Sequence, residues 1–235
     1  MGGLKAFVLL ARRHDFTPQQ FHDYYRHPHG TMGRNLSTLR KYVQSHQINT
    51  ELLGTDQSRF DAVAEACFDS EKDAMSFRGH PFIIKYIIDD EPRFLDTEKL
   101  QILVTEEEVL SSGPTVGAEL SEADMMWSPD NRPFSIKLLH FVAPDSDPSW
   151  ASNQDEALGK RIGALRHVRC RPYRAVHGDT PPYSGVQELW WPTFTAFHTG
   201  VSASQDAFAA LLGKASGSVT LLAQAERFSC SSTGF

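Results

Sequence analysis

The sequence predicts an α+β protein made of two βαββαβ halves in tandem, and three observations predict it. Short apolar runs rich in strand formers recur, with helix starts between them, in the order that a helix-covered four-stranded sheet needs. That order appears twice, on either side of a stretch over 111–132 filled with Ser, Gly, Pro and acidic residues. Matching residues also fall at matching places: Val63-Ala64-Glu65 aligns with Val186-Gln187-Glu188, and Leu39-Arg40 with Leu165-Arg166. The separation exceeds the period of repeat arrays, so the pattern reads as a domain duplication. The halves are expected at 1–110 and 133–235, joined by the linker at 111–132.

Each element has its own signal. Leu4 to Leu10 (LKAFVLL) reads as a first strand. Thr17, Pro18 and Gln20 form a capping box with proline at the first helical position, and the helix they open carries Phe21, Tyr24 and Tyr25. It is expected to end near Arg26, because Pro28 disfavours helical geometry at His27. Tyr42 to Ile48 and Ala62 to Phe68 read as strands, and Ser70 with Asp73 caps a second helix through Met75 and Phe77. Pro81 starts a short helix through Ile84 and Ile88, and Leu100 to Thr105, extending toward Val109, is the fourth strand. In the second half, strands are expected at 134–142, 168–176, 185–191 and 219–228. One helix is expected from an Asp147-Pro148 cap through Ile162, and another over 206–214.

A four-stranded sheet with helices on one face leaves its other face open, and a second copy is the simplest cover. The expected architecture is therefore two ferredoxin-like halves packed as an intramolecular dimeric α+β barrel. Side-chain alternation places Ala64, Ala66 and Phe68 on one face of their strand and Val63, Glu65 and Cys67 on the other. The apolar set is assigned to the helices and the mixed set to the interior. Tyr42, Gln44 and His46 share a face of the neighbouring strand.

Composition excludes several classes. The formal net charge of −6 and scattered Lys and Arg argue against a nucleic-acid or anionic-membrane partner. Cys67, Cys170 and Cys230 form no CxxC pair and are odd in number, which favours reduced thiols and a cytoplasmic location. No leader precedes the first strand, and no apolar run reaches spanning length. Glycine loops that cradle phosphates and a GxSxG elbow are both missing from the sequence.

The stretch FTPQQFHDYYRHPHGTMGRNLSTLRKYVQSH, from Phe16 to His46, resembles the EthD family signature, in which a helix with F-x-x-Y-[WY] leads into an H-G pair and a strand ending near Q-x-H. Phe21, Tyr24, Tyr25, His29, Gly30, Tyr42, Gln44 and His46 occupy those positions, and Glu65 stands at the acidic position of the third strand. Thr31 departs from the proline often found there, and the second half has no histidine near the end of its first helix. The resemblance implies a site for a small hydrophobic, aromatic or polyketide-like substrate, with relatives that include cofactor-free oxygenases, cyclases and decarboxylase-like enzymes.

The candidate catalytic residues are His29, His46 and Glu65, and the candidate substrate-binding residues are Tyr24, Tyr25, Tyr42, Gln44 and Trp190. His29 could serve as acid or base near neutral pH; its bland alternative is a helix C-terminal cap. Glu65 and Glu188 need partners in half-buried strands, either a histidine or a cross-strand cation such as Arg40 or Lys41. No metal ligand set stands at a familiar spacing, although His27 and His29 with His22 or His46 were the one arrangement to weigh. The expectation is an enzyme without cofactor or metal, most simply a monooxygenase-like oxidoreductase. The alternatives are a lyase or cyclase and a non-catalytic binding protein. Fusion removes the need for a homodimer but leaves dimers of the fused chain open.

Overall fold

The computed structural model describes residues 3–33, 39–56, 58–113, 122–144, 150, 154–213 and 217–228. Eight strands form one closed antiparallel barrel: β1 (Leu4–Leu10), β2 (Lys41–Gln47), β3 (Ala62–Phe68), β4 (Gln101–Ser112), β5 (Phe134–Val142), β6 (Arg166–Pro172), β7 (Gly185–Trp191) and β8 (Val219–Phe228). Around the barrel they follow β1-β3-β2-β8-β5-β7-β6-β4. The first four strands thus lie side by side as β4-β1-β3-β2, and the last four repeat the pattern as β8-β5-β7-β6.

The two sets do not merely pack face to face, as the sequence suggested. They are hydrogen-bonded at both seams, β2 to β8 and β4 to β6. Closure leaves no strand edge unpaired, so eight strands from one chain complete the sheet without a second copy.

Outside the barrel lie α1 (Pro18–Tyr24), α2 (Glu71–Ser76), α3 (Gln154–Arg161), α4 (Phe194–Ala203) and α5 (Gln205–Leu212). Helix α4 was not foreseen. Its Thr, Phe and Gly content is poor for helix formation, but the Thr193 hydroxyl caps it by accepting from the Ala196 amide. Gly200 lets it approach the turn after α3 so closely that a Cβ would lie 2.1 Å from the Ile162 carbonyl oxygen. Packing decides where local preference does not. The second-half helix begins at Gln154, and the cap expected at Asp147-Pro148 falls outside the described residues, as does Cys230. Within the expected linker, β4 continues to Ser112 and pairs Ser111 and Ser112 with β6.

Inside the barrel, the apolar portion is filled by residues from all around the sheet, among them Phe7, Leu103, Leu139, Phe141 and Val186. Each such side chain contributes about 1.5–3 kcal/mol on burial. The outer faces bury Leu4, Ala66 and Phe68 under the first-half helices, and Leu138, Leu222 and Trp191 under α4 and α5. Among the described residues no helix is long and apolar enough to cross a membrane.

Candidate functional site

The first-half sequence builds a histidine–carboxylate pair on the outer face of the sheet. The Thr17 capping box forms as expected, its hydroxyl accepting from the Gln20 amide and its own amide donating to the Gln20 side chain. Helix α1 buries Phe21, and the chain then kinks at His27, whose φ of −150° and ψ of 124° are extended before Pro28. A further turn, Tyr25–Gly30, carries His29 back toward the sheet. Gly30 is needed there, because a Cβ would lie 2.6 Å from the Gln44 amide nitrogen.

His29 is only 6% exposed, and its Nδ1 lies 3.0 Å from Asp90 Oδ2. Tyr24 donates its hydroxyl to the other Asp90 oxygen at 2.8 Å. Burial alone would raise the Asp90 carboxyl, but the hydrogen bonds from His29 and Tyr24 outweigh it and hold the group below the usual range. An ionised Asp90 accepts only, so it fixes the imidazole hydrogen on Nδ1 and leaves Nε2 with its lone pair. Phe94 packs against the His29 ring, with centroids 4.9 Å apart. Beside the ring lies a cavity of about 60 Å³ with almost wholly apolar walls, lined by Val8, Leu10, Ala64 and Ala66 from the sheet and by Ile87 and Leu95 from the covering segment. The Arg78–Glu91 ion pair, at 3.2 Å, borders it.

A second chain of polar groups runs beside this pair. His46 Nε2 lies 3.2 Å from Gln44 Oε1, and His46 Nδ1 lies 3.0 Å from His22 Nδ1. Gln44 in turn donates to the Tyr25 carbonyl and the Tyr42 hydroxyl. Burial, reinforced by Arg26 and His22, pushes the His46 imidazole down to about 2. It is therefore neutral at ordinary pH and, donating from Nε2 to Gln44 Oε1, holds Gln44 and His22 in place. Burial likewise lowers His22 and His167.

This has a stability consequence. The folded His46 refuses a proton that the unfolded chain accepts below about pH 6.5. Its contribution is complete above that value and is lost as pH falls toward the depressed folded value. From pH 7 to pH 5 this one group should cost about 2 kcal/mol, and His22 and His167 act with the same sign. Urea melts at the two pH values should show a smaller loss in His46→Gln. An identical loss in the variant would refute the assignment.

Glu65 lies elsewhere. Directly opposed residues share a face, and the β2–β3 register pairs Val43 with Glu65 and Gln44 with Ala64. Glu65 therefore points into the barrel, while Tyr42, Gln44 and His46 face the helices. The alternation predicted for β3 holds, but the triad of His29, His46 and Glu65 does not assemble, because the sheet separates Glu65 from the two histidines. Nor did Arg40 or Lys41 supply the partner. Glu65 accepts from Lys137 at 2.5 Å, from Lys5 at 2.8 Å and from Ser45 at 2.7 Å. Glu188 accepts from Lys5 at 2.7 Å and from Lys137. Each lysine thus bridges a carboxylate of β3 and one of β7. Burial would raise Glu65 and Glu188 and lower Lys5; the mutual attraction outweighs it, holding both carboxyls low and Lys5 well above its ordinary value.

Trp190 also faces the interior, its ring 4.1 Å from the Lys137 ammonium, while Trp191 joins the helix-facing core. Trp190 and Glu65 are thus apart from Tyr24, Tyr25, Tyr42 and Gln44, which lie on the helix side. Tyr25 is fully buried, whereas Tyr24 directs its hydroxyl to Asp90. His27 Nδ1 meets the Thr31 hydroxyl at 2.9 Å, and no group of three or more possible metal ligands among the described residues includes it. One group of possible metal ligands, Glu107, Cys170 and Glu188, has its atoms within 4.8 Å of one another. It suits a cation poorly: Glu188 is already bound to two ammonium groups, and burial followed by Glu188 itself pushes the Cys170 thiol well up, so it stays protonated.

Sequence reasoning missed Asp90, Lys5 and Lys137. It also missed a buried network in the second half, where His167 meets Gln187 at 2.9 Å and Gln187 donates to Asp155 at 2.7 Å.

Residues 13–98 match the family model described as the EthD domain. Among solved structures, an anthrone oxidase-like protein superposes with a TM-score of 0.59 at 10% identity, covering 100% of this chain and 96% of its own. A candidate monooxygenase from Fusobacterium nucleatum gives a TM-score of 0.54 at 9% identity, over 97% of this chain and 93% of its own. At such identities the likeness is one of fold. A sequence search among curated proteins finds no match.

Proposed function

We propose that the EthD domain at residues 13–98 forms the active site of a cofactor-independent, monooxygenase-like oxidoreductase acting on a small aromatic or polyketide-like substrate. The observation that carries this reading is the His29–Asp90 pair set against an apolar cavity in the outer face of the sheet. The strand order of each set, β4-β1-β3-β2 and β8-β5-β7-β6, supports the reading of two ferredoxin-like halves, at 1–110 and 133–235, joined through 111–132. Among the described residues the His29–Asp90 pair beside an apolar cavity belongs to the first half, so the site is assigned to it.

The chemistry follows from the geometry. His29 Nε2 removes a proton from an activated phenol or from the carbon between two conjugating groups. Asp90 keeps the imidazole in the correct tautomer and stabilises the imidazolium that forms, while Tyr24 holds Asp90 from the other side. The resulting carbanion is electron-rich enough to reduce O₂, which adds at the same carbon; loss of water from the hydroperoxide completes the reaction. Overall, a CH₂ group and one O₂ become a C=O group and one H₂O. The substrate supplies the electrons. The apolar walls keep water from quenching the carbanion.

At about 60 Å³ the cavity has the volume of roughly two waters. A ring system enters only by parting residues 77–88 from the sheet; Asp90 stays paired with His29 and Glu91 stays beside it, so the Arg78–Glu91 contact breaks. The test is oxygen-electrode and product analysis of the purified protein against polyphenols and anthrones. One O₂ consumed per product, lost in His29→Ala, is the expected result. Turnover without O₂ uptake would move the same deprotonation to a cyclase or lyase, and unchanged turnover in His29→Ala would remove His29 from the mechanism.

A further inference from the structure

The barrel mouth on the interior side of the sheet, separate from the His29 cavity, presents a second kind of chemistry. A cavity of about 70 Å³ opens there above the Lys5–Glu65–Lys137–Glu188 quartet, and Trp190 and Arg227 line it. Trp127 packs against Trp190 in one buried cluster with Val43 and Ala225. Three hydrogen-bond donors in this region are buried without an acceptor among the described residues: the Trp127 indole N–H, the Trp190 indole N–H and the Arg227 Nε–H. Both tryptophans are more than nine-tenths buried, at 7% and 5% exposure. Buried donors in native proteins are nearly always satisfied. A cluster of donors with no acceptor asks for an acceptor from outside the chain.

Charge says which kind. The quartet itself is neutral, two lysines against two glutamates. Above it stand Arg40, Lys41, Arg166 and Arg227, faced by Glu107 and Asp130. Asp130 is shared between Lys41 at 2.7 Å and Arg227 at 2.9 Å, and the exposed Asp69 lies 3.6 Å from Arg40. Four cations against three carboxylates leave one positive charge. Size completes the argument, since about 70 Å³ matches roughly two waters and so admits an anion of three or four heavy atoms.

We propose that the barrel mouth binds one small monovalent oxyanion of the formate or bicarbonate class, held by the Trp190 indole and by Arg227, both of which line the cavity. The excess positive charge draws the anion in, and the Trp190 indole supplies direction.

The test uses the whole chain, ¹⁵N-labelled, titrated with formate at constant ionic strength balanced by gluconate, whose chain is too long for the cavity. The sequence has four tryptophans, so four indole N–H signals are resolved and assigned by Trp127→Phe and Trp190→Phe. Trp191, which donates to the Ile162 carbonyl at 3.0 Å, is the internal control. The expected result is a saturable shift of the Trp190 signal with formate and bicarbonate, none with gluconate, and at least a tenfold weaker titration in Arg227→Gln. Three outcomes would overturn the proposal: no shift on the wild-type protein, equal shifts with gluconate, or all four signals moving together. The first would mean that only water fills the mouth; the others would mean general ionic screening. The wild-type titration decides the matter even if a variant does not fold.

Discussion

Lys137→Met should destabilise the protein by about 3–5 kcal/mol, the largest stability loss expected of any single polar substitution in this fold. Lys137 is fully buried and touches both Glu65 and Glu188, each of which is at most 1% exposed. Removing it leaves two carboxylates in the barrel with Lys5 as their one remaining cation. The cost is that of uncompensated buried charge, and it exceeds whatever the ion pairs contribute against an apolar alternative. A paired change, Lys137→Met with Glu65→Leu, keeps the interior neutral around Lys5 and Glu188 and should recover most of the loss. Urea unfolding of the two singles and the double provides the comparison. A single-variant cost under about 1 kcal/mol, the range of a surface ion pair, would show that the quartet is hydrated and that the barrel interior is open to water.

The largest effect on activity is expected at His29. His29→Ala removes the proposed base and should lower turnover by about 10²–10⁴-fold, the usual worth of a positioned general base. Asp90→Asn tests the arrangement more finely. The amide keeps the shape of the carboxylate but can donate to Nδ1, which would favour the tautomer with its hydrogen on Nε2 and so hide the lone pair. Turnover should fall by a large part of the His29→Ala effect while substrate binding changes little. Tyr24→Phe, which removes one of two hydrogen bonds to Asp90, should do much less. An Asp90→Asn protein with wild-type turnover would show that His29 needs no orienting partner.

The strands were legible because alternation and strand-forming residues agree: 4–10, 62–68, 134–142, 185–191 and 219–228 coincide with β1, β3, β5, β7 and β8. The α1 start was equally clear, since its capping box is a purely local device. What could not be read is long-range. Asp90 lies sixty-one residues from His29, in a segment whose acidic pair Asp89-Asp90 has no periodicity relating it to the first helix. The relation of β2 to β3 depended on register, and a shift of one residue exchanges the faces; that is why Glu65 was grouped with His46. A signal for the quartet was nevertheless present. Lys5 and Lys137 each stand alone in the apolar first strand of a half, as Glu65 and Glu188 do in the third. Two opposite charges repeated at matching places in the first four and the last four strands are what such a buried cluster requires.

The central claim is that chemistry occurs on the helix-covered face of the first half, at His29. The most direct measurement is a crystal structure of the protein with anthrone bound in the absence of O₂. The account predicts the ring system between Ala64, Ala66 and Ile87, residues 77–88 displaced with Asp90 still on His29, and the acidic carbon or its enol oxygen within hydrogen-bond reach of His29 Nε2. Anthrone seated inside the barrel against Trp190 and Glu65, or anywhere that leaves the His29–Asp90 pair uncontacted, would contradict it.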